Sequence, residues 1–419
     1  MLNATAIREY LDKRYNISAK YYLNSSLLSC VRRFNDISRD EKDTANFAFI
    51  SAMYDYQMKV SHLISRFNFI VDFLERNNLE LPDLADSSHF EKLRDLMLKN
   101  YGYFHRFDPR MRDFRKLVDV LTKLDLENIA KDYYDPNQSE PVEKVIDGIL
   151  NEIRRFAEFS SRGFIPNPKN KSSKKRLTLF LRWVVRPEYP DLGVWRFISP
   201  AHLYVSLDLG VLRVFQRITG IALKNDWDGV IRVTDYFRSV NPQDPAKYDY
   251  VLSRPAILDI CKKSLEYSGC DACLLNEICL TGRENIRNIR LVVEEEVDKT
   301  RHDYIRDLFK SRNPWKASCV REEYLNGRAD IVCYLPDMKS PERIVVVEVK
   351  VVLTFNGVKQ LLNYIRTAIE KWKETVKECR GAMVCECISK DQEQKILEIS
   401  EYHSIEIYKF DDNKFVRIA

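Results

Sequence analysis

The 419-residue chain has no long apolar run, no secretory leader pattern, no internal repeat and no low-complexity tract. A membrane-spanning helix needs about 20 consecutive, mostly apolar residues, so we expect no membrane span. The first residues, MLNATAIREYLDKRYN, lack the apolar core of a signal peptide. These absences predict a protein of the cytoplasm, where thiols stay reduced and disulfide bonds are not expected.

Size and charge set further limits. A chain of 419 residues is too long for one ordinary hydrophobic core, so about two or three domains are expected. Its 45% hydrophobic and 31% charged residues are typical of a soluble globular protein. The net charge is only +5, but basic residues are concentrated between Arg154 and Arg186. This excess either neutralises phosphates or forms a solvated loop and helix face, and charge alone does not separate the two.

The pattern of apolar residues changes along the chain. Up to about residue 260 they recur at helical spacing, and no segment alternates as a strand does. After Cys279, the segments GRADIVCYLPD, RIVVVEVKVVLTF, AMVCECIS and SIEIYKF are typical of strands, with helices between them. We therefore expect a multidomain protein, with an all-α domain over residues 1–284 and an α/β domain over residues 285–419.

Four of the ten cysteines lie in one stretch, CKKSLEYSGCDACLLNEIC. They are Cys261, Cys270, Cys273 and Cys279, separated by eight, two and five residues. Four thiols in a reducing compartment indicate a metal site or an iron–sulfur cluster. Zinc sites usually show two CxxC pairs, and only one is present here. The alternative is four buried cysteines without a ligand.

This spacing resembles the [4Fe–4S] loop of endonuclease III-type enzymes in the helix-hairpin-helix DNA glycosylase superfamily. That family has six residues in the first gap, where this chain has eight, and the other two gaps match. The resemblance implies an all-α glycosylase-like domain with a structural cluster held by the four cysteines. It also implies that the loop presents basic residues to DNA phosphates.

The helical half resembles the DUF2400 family in the stretch KKRLTLFLRWVVRPEYPDLGVWRFISPAHLYVSLD, and also in FAFISAMYDYQ, YGYFHRFD and DPAKYDYVL. SLDLGVLRVFQRITGI resembles the glycosylase segment that carries the catalytic aspartate, which would be Asp208. Lys175 falls where the lysine of the distantly similar archaeal 8-oxoguanine glycosylases would lie, with Lys174 as the adjacent candidate. An amine there could attack a sugar carbon while a carboxylate stabilises positive charge. The alternatives are a phosphate contact for Lys175 and a helix cap for Asp208.

Other features of the helical half bear on DNA binding. The glycines of the glycosylase hairpin, LPGVG, are missing from GFIPNPKNKSSKK, so this resemblance does not supply the usual hairpin anchor. Lys174, Arg176 and Arg182 are candidate DNA contacts. A flipped base would need an aromatic pocket, for which the candidates are Tyr54, Tyr56, Trp183 and Trp195. Aromatic residues at helical spacing equally fit a hydrophobic core.

The segment GRADIVCYLPDMKSPERIVVVEVK carries the strongest catalytic pattern. Glu348 and Lys350 are two residues apart on one predicted strand and so share a face, and a turn would bring Asp330 beside them. Two carboxylates can hold Mg²⁺, and the lysine can orient or help to deprotonate water for attack on phosphorus. The alternative is a salt bridge on an edge strand.

This constellation resembles the D…(D/E)xK site of the restriction-endonuclease-like superfamily. The run from about residue 290 to 419 resembles the catalytic domain of NucS/EndoMS, a family of mismatch-specific endonucleases. The resemblance implies metal binding by Asp330 and Glu348, water orientation by Lys350 and a catalytic role for Gln360. It also implies a phosphate contact by Arg328 and a further metal ligand from the preceding helix, for which Glu296 is the candidate.

Together these features predict a DNA repair enzyme that reads a damaged or mispaired base in double-stranded DNA and cuts the backbone with Mg²⁺ or Mn²⁺. In one alternative the helical half is an active glycosylase and abasic-site lyase through Lys175 and Asp208, and the nuclease domain makes a coupled incision. In another the chain is a non-catalytic DNA-binding protein. The expected location is the cytoplasm, at the nucleoid, and a homodimer is expected by analogy with symmetric nucleases of this type.

Overall fold

Helices come first and strands follow in the computed structural model. It describes residues 3–38, 40–56, 58–104, 107–161, 163–265, 267–287, 299–411 and 414–419. Within these ranges the α-helices are α1 Ala4–Asn24, α2 Leu28–Ile37, α3 Glu41–Tyr54, α4 Val60–Asn77, α5 Ser87–Tyr101, α6 Met111–Lys123, α7 Leu126–Tyr133, α8 Pro141–Phe156, α9 Lys175–Val185, α10 Leu209–Thr219, α11 Trp227–Val240, α12 Asp249–Ile257, α13 Leu280–Arg287, α14 Lys299–Ser311, α15 Phe355–Trp372 and α16 Glu393–Tyr402. The strands are β1 Ser318–Tyr324, β2 Arg328–Leu335, β3 Arg343–Leu353, β4 Glu378–Ile388, β5 Glu406–Asp411 and β6 Lys414–Arg417.

The chain forms two compact units. The helical unit comprises Met1–Phe215 and Ala222–Arg254, and the sheet unit comprises Gln216–Ile221 and Pro255–Ala419. The expectation of a multidomain protein with a helical N-terminal region and a C-terminal sheet is confirmed. The cysteine loop lies in the sheet unit. The predicted domain boundary after residue 284 stays a prediction.

Buried charges stabilise the interior of the helical unit. Arg182 and Arg186 of α9 are almost fully buried. Arg182 Nη1 lies 2.8 Å from Asp249 Oδ2, and its guanidinium lies 4.2 Å from the centre of the Tyr250 ring. Arg186 donates to Asp191, whose other oxygen accepts from the Tyr250 hydroxyl. Buried charges are tolerated only when paired in this way, so α9 is held by ionic as well as apolar contacts.

The sheet of the second unit is mixed, with strand order β1-β2-β3-β4-β5-β6. Pairing is antiparallel for β1–β2, β2–β3 and β5–β6 and parallel for β3–β4 and β4–β5. Helices α15 and α16 form the two crossovers that the parallel pairs require. The four predicted strands are confirmed. The pattern missed β1 and β6, which are short, charged strands at the two edges of the sheet.

A tight hairpin joins β1 to β2. Its turn residues Asn326 and Gly327 have positive φ angles of 55° and 140°. An Asn-Gly pair favours such a turn because both residues tolerate this backbone region. A Cβ atom at position 327 would lie 2.8 Å from the ring of Tyr364, so only glycine fits here. The hairpin therefore fixes where β2, and with it Asp330, begins.

Cysteine chemistry in the sheet differs from the expectation. Cys319 of β1 and Cys333 of β2 are directly paired across the ladder and form a disulfide bond. The expectation that all thiols stay reduced is therefore wrong for this pair, because the register of a missed strand brings the two side chains together. Among the described residues, no helix is long and apolar enough to cross a membrane.

The buried ionic network yields a stability prediction. Replacing Asp249 with Ala leaves the Arg182 guanidinium buried without its closest carboxylate and should lower the free energy of unfolding by about 3–5 kcal/mol. As a control, Glu127→Ala removes an exposed i,i+4 pair with Lys131 and should cost less than about 1 kcal/mol. Thermal and urea denaturation of the two variants check this, and equal effects would contradict the role given to the network.

Candidate functional site

Pairing of β2 with β3 brings the predicted catalytic residues together. The last paired residues, Ile331 and Val347, directly adjoin Asp330 and Glu348. The Asp330 carboxylate reaches across to β3, where its Oδ2 accepts a hydrogen bond of 2.8 Å from the amide of Val349. A two-residue step along β3 places Glu348 and Lys350 on the same face, and Lys350 Nζ lies 3.0 Å from Glu348 Oε1. The structure therefore brings these three residues together, and their catalytic role stays a prediction.

Glu348 is buried and only partly satisfied. Its side chain is 2% exposed, and Oε2 has no hydrogen-bond partner among the described residues. Burial, and next the nearby Asp330 carboxylate, raise the pKa of Glu348 to about 8, although Lys350 opposes the shift. A buried carboxylate oxygen without a donor is costly unless a cation completes it. The donor set of Asp330 and Glu348, all oxygen, therefore fits a Mg²⁺ or Mn²⁺ ion.

Helix α14 adds a residue that the sequence analysis missed. His302 Nε2 lies 3.2 Å from Asp330 Oδ2 and 3.1 Å from the carbonyl oxygen of Val349. Both neighbours are acceptors, so Nε2 carries the hydrogen, and the hydrogen bond to Asp330 raises the pKa of His302. His302 thus fixes the orientation of the Asp330 carboxylate. The signal for His302 in the sequence is weak. The apolar residues of RHDYIRDLF recur at helical spacing, which predicts a helix with one face packed on the sheet.

The remaining predicted residues of this site are Gln360, Arg328 and Glu296. Gln360, on α15, donates to the hydroxyl of Tyr364 at 2.9 Å, and no described hydrogen bond joins it to the two carboxylates or to Lys350. Arg328 begins β2 and is exposed. Glu296 lies outside the described residues. Within those residues no group of three or more His, Cys, Asp or Glu side chains is arranged around one ion position.

The second predicted pair, Lys175 and Asp208, also meets. Lys175 is the first residue of α9, and its Nζ lies 3.3 Å from Asp208 Oδ2. Asp208 precedes α10, where its Oδ1 accepts from the amides of Gly210 and Val211. Asp208 is therefore both a helix cap and a partner of the lysine. A third residue, Asp55, was missed by the sequence analysis, and its Oδ2 lies 3.1 Å from the same ammonium.

Two of the predicted DNA contacts are corrected. Arg182 is 1% exposed and Lys174 is 6% exposed. Arg182 belongs to the buried network, and Lys174 pairs with Asp147 and lies over the ring of Trp227. Neither side chain can reach a phosphate, because burial and ion pairing hold it in the interior. Arg176 is partly buried and donates to three carbonyl oxygens, those of Met53, Gly163 and Phe164.

The four aromatic candidates also differ in burial. Tyr54, Trp183 and Trp195 are buried core residues. Tyr56 is partly exposed, and the guanidinium groups of Arg110 and Arg176 lie 5.4 and 4.7 Å from its ring centre. Of the four candidates, Tyr56 is thus the one that a base could reach.

The four loop cysteines form one electrostatic cluster. Burial raises the pKa of Cys270, Cys273 and Cys279, and neighbouring cysteines of the loop raise it further. Every sulfur accepts a hydrogen bond, and the donors are Arg217 Nη1 at 3.1 Å for Cys261, Asn285 Nδ2 at 3.3 Å for Cys270, the Leu275 amide at 3.5 Å for Cys273 and the Gly282 amide at 3.2 Å for Cys279. N–H donors on all four sulfurs would stabilise thiolate charge, as the cysteine ligands of an iron–sulfur cluster require.

The cysteine loop packs against helix α15 within the sheet unit. Ala272, between Cys270 and Cys273, belongs to the same apolar cluster as Val358. Arg366 of α15 donates to the carbonyl oxygen of Asp271. The loop is therefore built into the unit that carries Asp330 and Glu348.

Comparison with known proteins assigns the helical half to a family. The family model described as "Protein of unknown function (DUF2400)" matches residues 29–258, more than half of the chain. The chain belongs to the DUF2400 family. The resemblance to the DUF2400 family is thereby confirmed, the resemblance to glycosylases stays a prediction, and the matched region ends just before the cysteine loop. No curated protein and no solved structure matches the chain significantly.

The state of Glu348 gives a pH prediction for the metal-free protein. A carboxyl group whose pKa is raised in the folded state stabilises below its unfolded pKa, and this stability is lost as pH rises through the folded value. We expect the melting temperature in EDTA to fall between about pH 5 and pH 8, and Glu348→Gln to reduce this fall. Glu342→Gln, at an exposed position, is the control. An identical pH dependence in wild type and Glu348→Gln would contradict the assignment.

Proposed function

We propose that this DUF2400 protein is a DNA repair enzyme that cuts the backbone of damaged or mispaired double-stranded DNA by metal-dependent phosphodiester hydrolysis. The observation that carries the proposal is the juxtaposition of Asp330, Glu348 and Lys350 on β2 and β3, with Glu348 Oε2 buried and unpartnered. This set, together with the mixed sheet, supports a restriction-endonuclease-like fold and the resemblance to NucS/EndoMS.

The chain's own residues would divide the chemistry as follows. Asp330 and Glu348 would hold Mg²⁺ or Mn²⁺, which supplies Lewis-acid stabilisation of charge on the scissile phosphate. His302 and the Val349 amide hold Asp330 Oδ2, which fixes the angle at which the carboxylate faces the substrate. Lys350 orients the attacking water in line with the bond that breaks. Gln360 and Arg328 remain proposed as positioning and phosphate-binding residues.

The helical unit would select the site of cutting. Its DUF2400 membership and the contact between Lys175 and Asp208 support a domain of the helix-hairpin-helix glycosylase type that reads an altered base. A second candidate function, a bifunctional glycosylase and abasic-site lyase, would use these same two residues, but the two carboxylates beside Lys175 count against it. The homodimer and the nucleoid location stay predictions.

Cys261, Cys270, Cys273 and Cys279 would hold a structural [4Fe–4S] cluster. The support is the electrostatic cluster of the four thiols and the N–H donor on each sulfur. Packing of the loop against α15 means that the cluster would stabilise the sheet unit.

Substitution at Asp330 tests the nuclease. Asp330→Asn keeps the shape of the side chain but removes a metal-binding charge, so Mg²⁺-dependent cleavage of labelled mismatched duplexes should fall at least about 100-fold. The matched control is Asp337→Asn, since Asp337 is exposed and only caps the turn after β2. Unchanged metal-dependent cleavage by Asp330→Asn would sink the assignment.

The cluster has its own test. Protein purified without oxygen should show a broad visible absorbance band and about four iron atoms per chain. Cys273→Ser should lose the band and lower the melting temperature, whereas Cys387→Ser, at an exposed cysteine of β4, should retain both. Colourless, iron-free wild-type protein from an anaerobic preparation would exclude the cluster.

A further inference from the structure

The ammonium of Lys175 lies between two carboxylates that come from different elements. Asp55 directly follows α3, and Asp208 directly precedes α10. The distances from Lys175 Nζ are 3.1 Å to Asp55 Oδ2 and 3.3 Å to Asp208 Oδ2. Asp208 is held in turn by the amides of Gly210 and Val211, so its oxygen cannot swing away freely.

The local charges favour the ammonium form. One cation faces two anions, and the three side chains are about one quarter to two fifths exposed. Burial alone would lower the pKa of Lys175, but the carboxylates of Asp55 and then Asp208 raise it well above its usual value, and the Tyr22 phenol acts in the same direction. Close opposite charges hold a lysine in its charged form.

This arrangement conflicts with nucleophilic catalysis. Attack on the sugar carbon of an abasic site requires a neutral amine with a free lone pair, and enzymes with such a lysine lower its pKa by burial or by a nearby cation. Around Lys175 the described neighbours are carboxylates instead. Deprotonation would leave two anions within hydrogen-bond distance of a neutral group.

We propose that Asp55 is a third residue of this site and that it holds Lys175 as a fixed cation, so that Lys175 does not form a Schiff base with DNA. The inference rests on the proposed function in one respect, which is that the helical unit binds DNA. It favours a reading role for that unit over lyase chemistry, and it gives Asp55 a positioning role that neither the motifs nor the family description supplies.

The reactivity of Lys175 tests the proposal without DNA. Brief reductive methylation with formaldehyde and cyanoborohydride at pH 7.5, about three units below the pKa of an ordinary lysine, modifies only the neutral fraction of each amine, and peptide mass spectrometry reports each lysine. Asp55→Asn should speed methylation of Lys175 at least about fivefold, because one of the two stabilising charges is gone. Asp55→Glu, which keeps the charge, should leave it slow.

Two further variants show whether a change in rate comes from the charges beside Lys175. Asp147→Asn removes the carboxylate beside Lys174 and should not change the rate at Lys175. Asp208→Asn keeps a side chain that can cap α10 but removes the second charge, so it should also speed methylation. If neither Asp55→Asn nor Asp208→Asn raises the rate in folded protein, the proposal is overturned.

A borohydride-trapping assay on an abasic duplex in EDTA separates this inference from the nuclease. A covalent adduct of wild-type protein at Lys175 would overturn the inference and leave the metal-dependent activity untouched. If the wild-type protein shows no metal-dependent cleavage under any condition, the nuclease proposal is wrong. The inference about Lys175 would still hold if its methylation were slow in wild type and faster in Asp55→Asn.

Discussion

The antiparallel pairing of β2 with β3 is the constraint on which the candidate nuclease site depends. A slip of one residue in this ladder would turn Glu348 and Lys350 to the opposite face of the sheet. The hairpin at Asn326 and Gly327 sets the start of β2 against β1, and Gly327 approaches the ring of Tyr364 too closely for any other residue. The ladder also sets Asp330 against the amide of Val349, and this contact leaves the carboxylate poised beside Glu348.

Helix α15 connects this site with the cysteine loop. At Gly357 the helix packs on β3, and a Cβ atom there would lie in van der Waals contact with Cγ of Lys350, at 3.4 Å. Further along, Arg366 holds the backbone of the loop at Asp271. Packing therefore links the cysteine loop to the surroundings of Lys350, and the proposed cluster, if the loop holds one, would stabilise these surroundings.

Sequence reasoning succeeded where spacing along one element decides the geometry. The two-residue step from Glu348 to Lys350 is of this kind. It failed where tertiary packing decides. Asp55 and His302 are distant in sequence from the residues they contact, and no motif identifies either of them as part of a site. The burial of Arg182 was missed because a basic residue in a basic stretch gives no sign of its partner Asp249, 67 residues later. The edge strand β1 was missed because SCVREEY lacks apolar alternation, and the Cys319–Cys333 disulfide was missed with it.

The most direct measurement is a cleavage panel on labelled duplexes, each assayed in EDTA and in Mg²⁺ or Mn²⁺. The panel includes matched DNA, the mismatches, uracil, hypoxanthine, 8-oxoguanine and an abasic site. The account predicts strand scission only with metal, concentrated at one or more altered bases, with intact DNA and no alkali-labile sites in EDTA. Lesion-dependent scission or alkali-labile sites in EDTA would contradict it, because the chemistry would then belong to the helical unit and not to Asp330, Glu348 and Lys350.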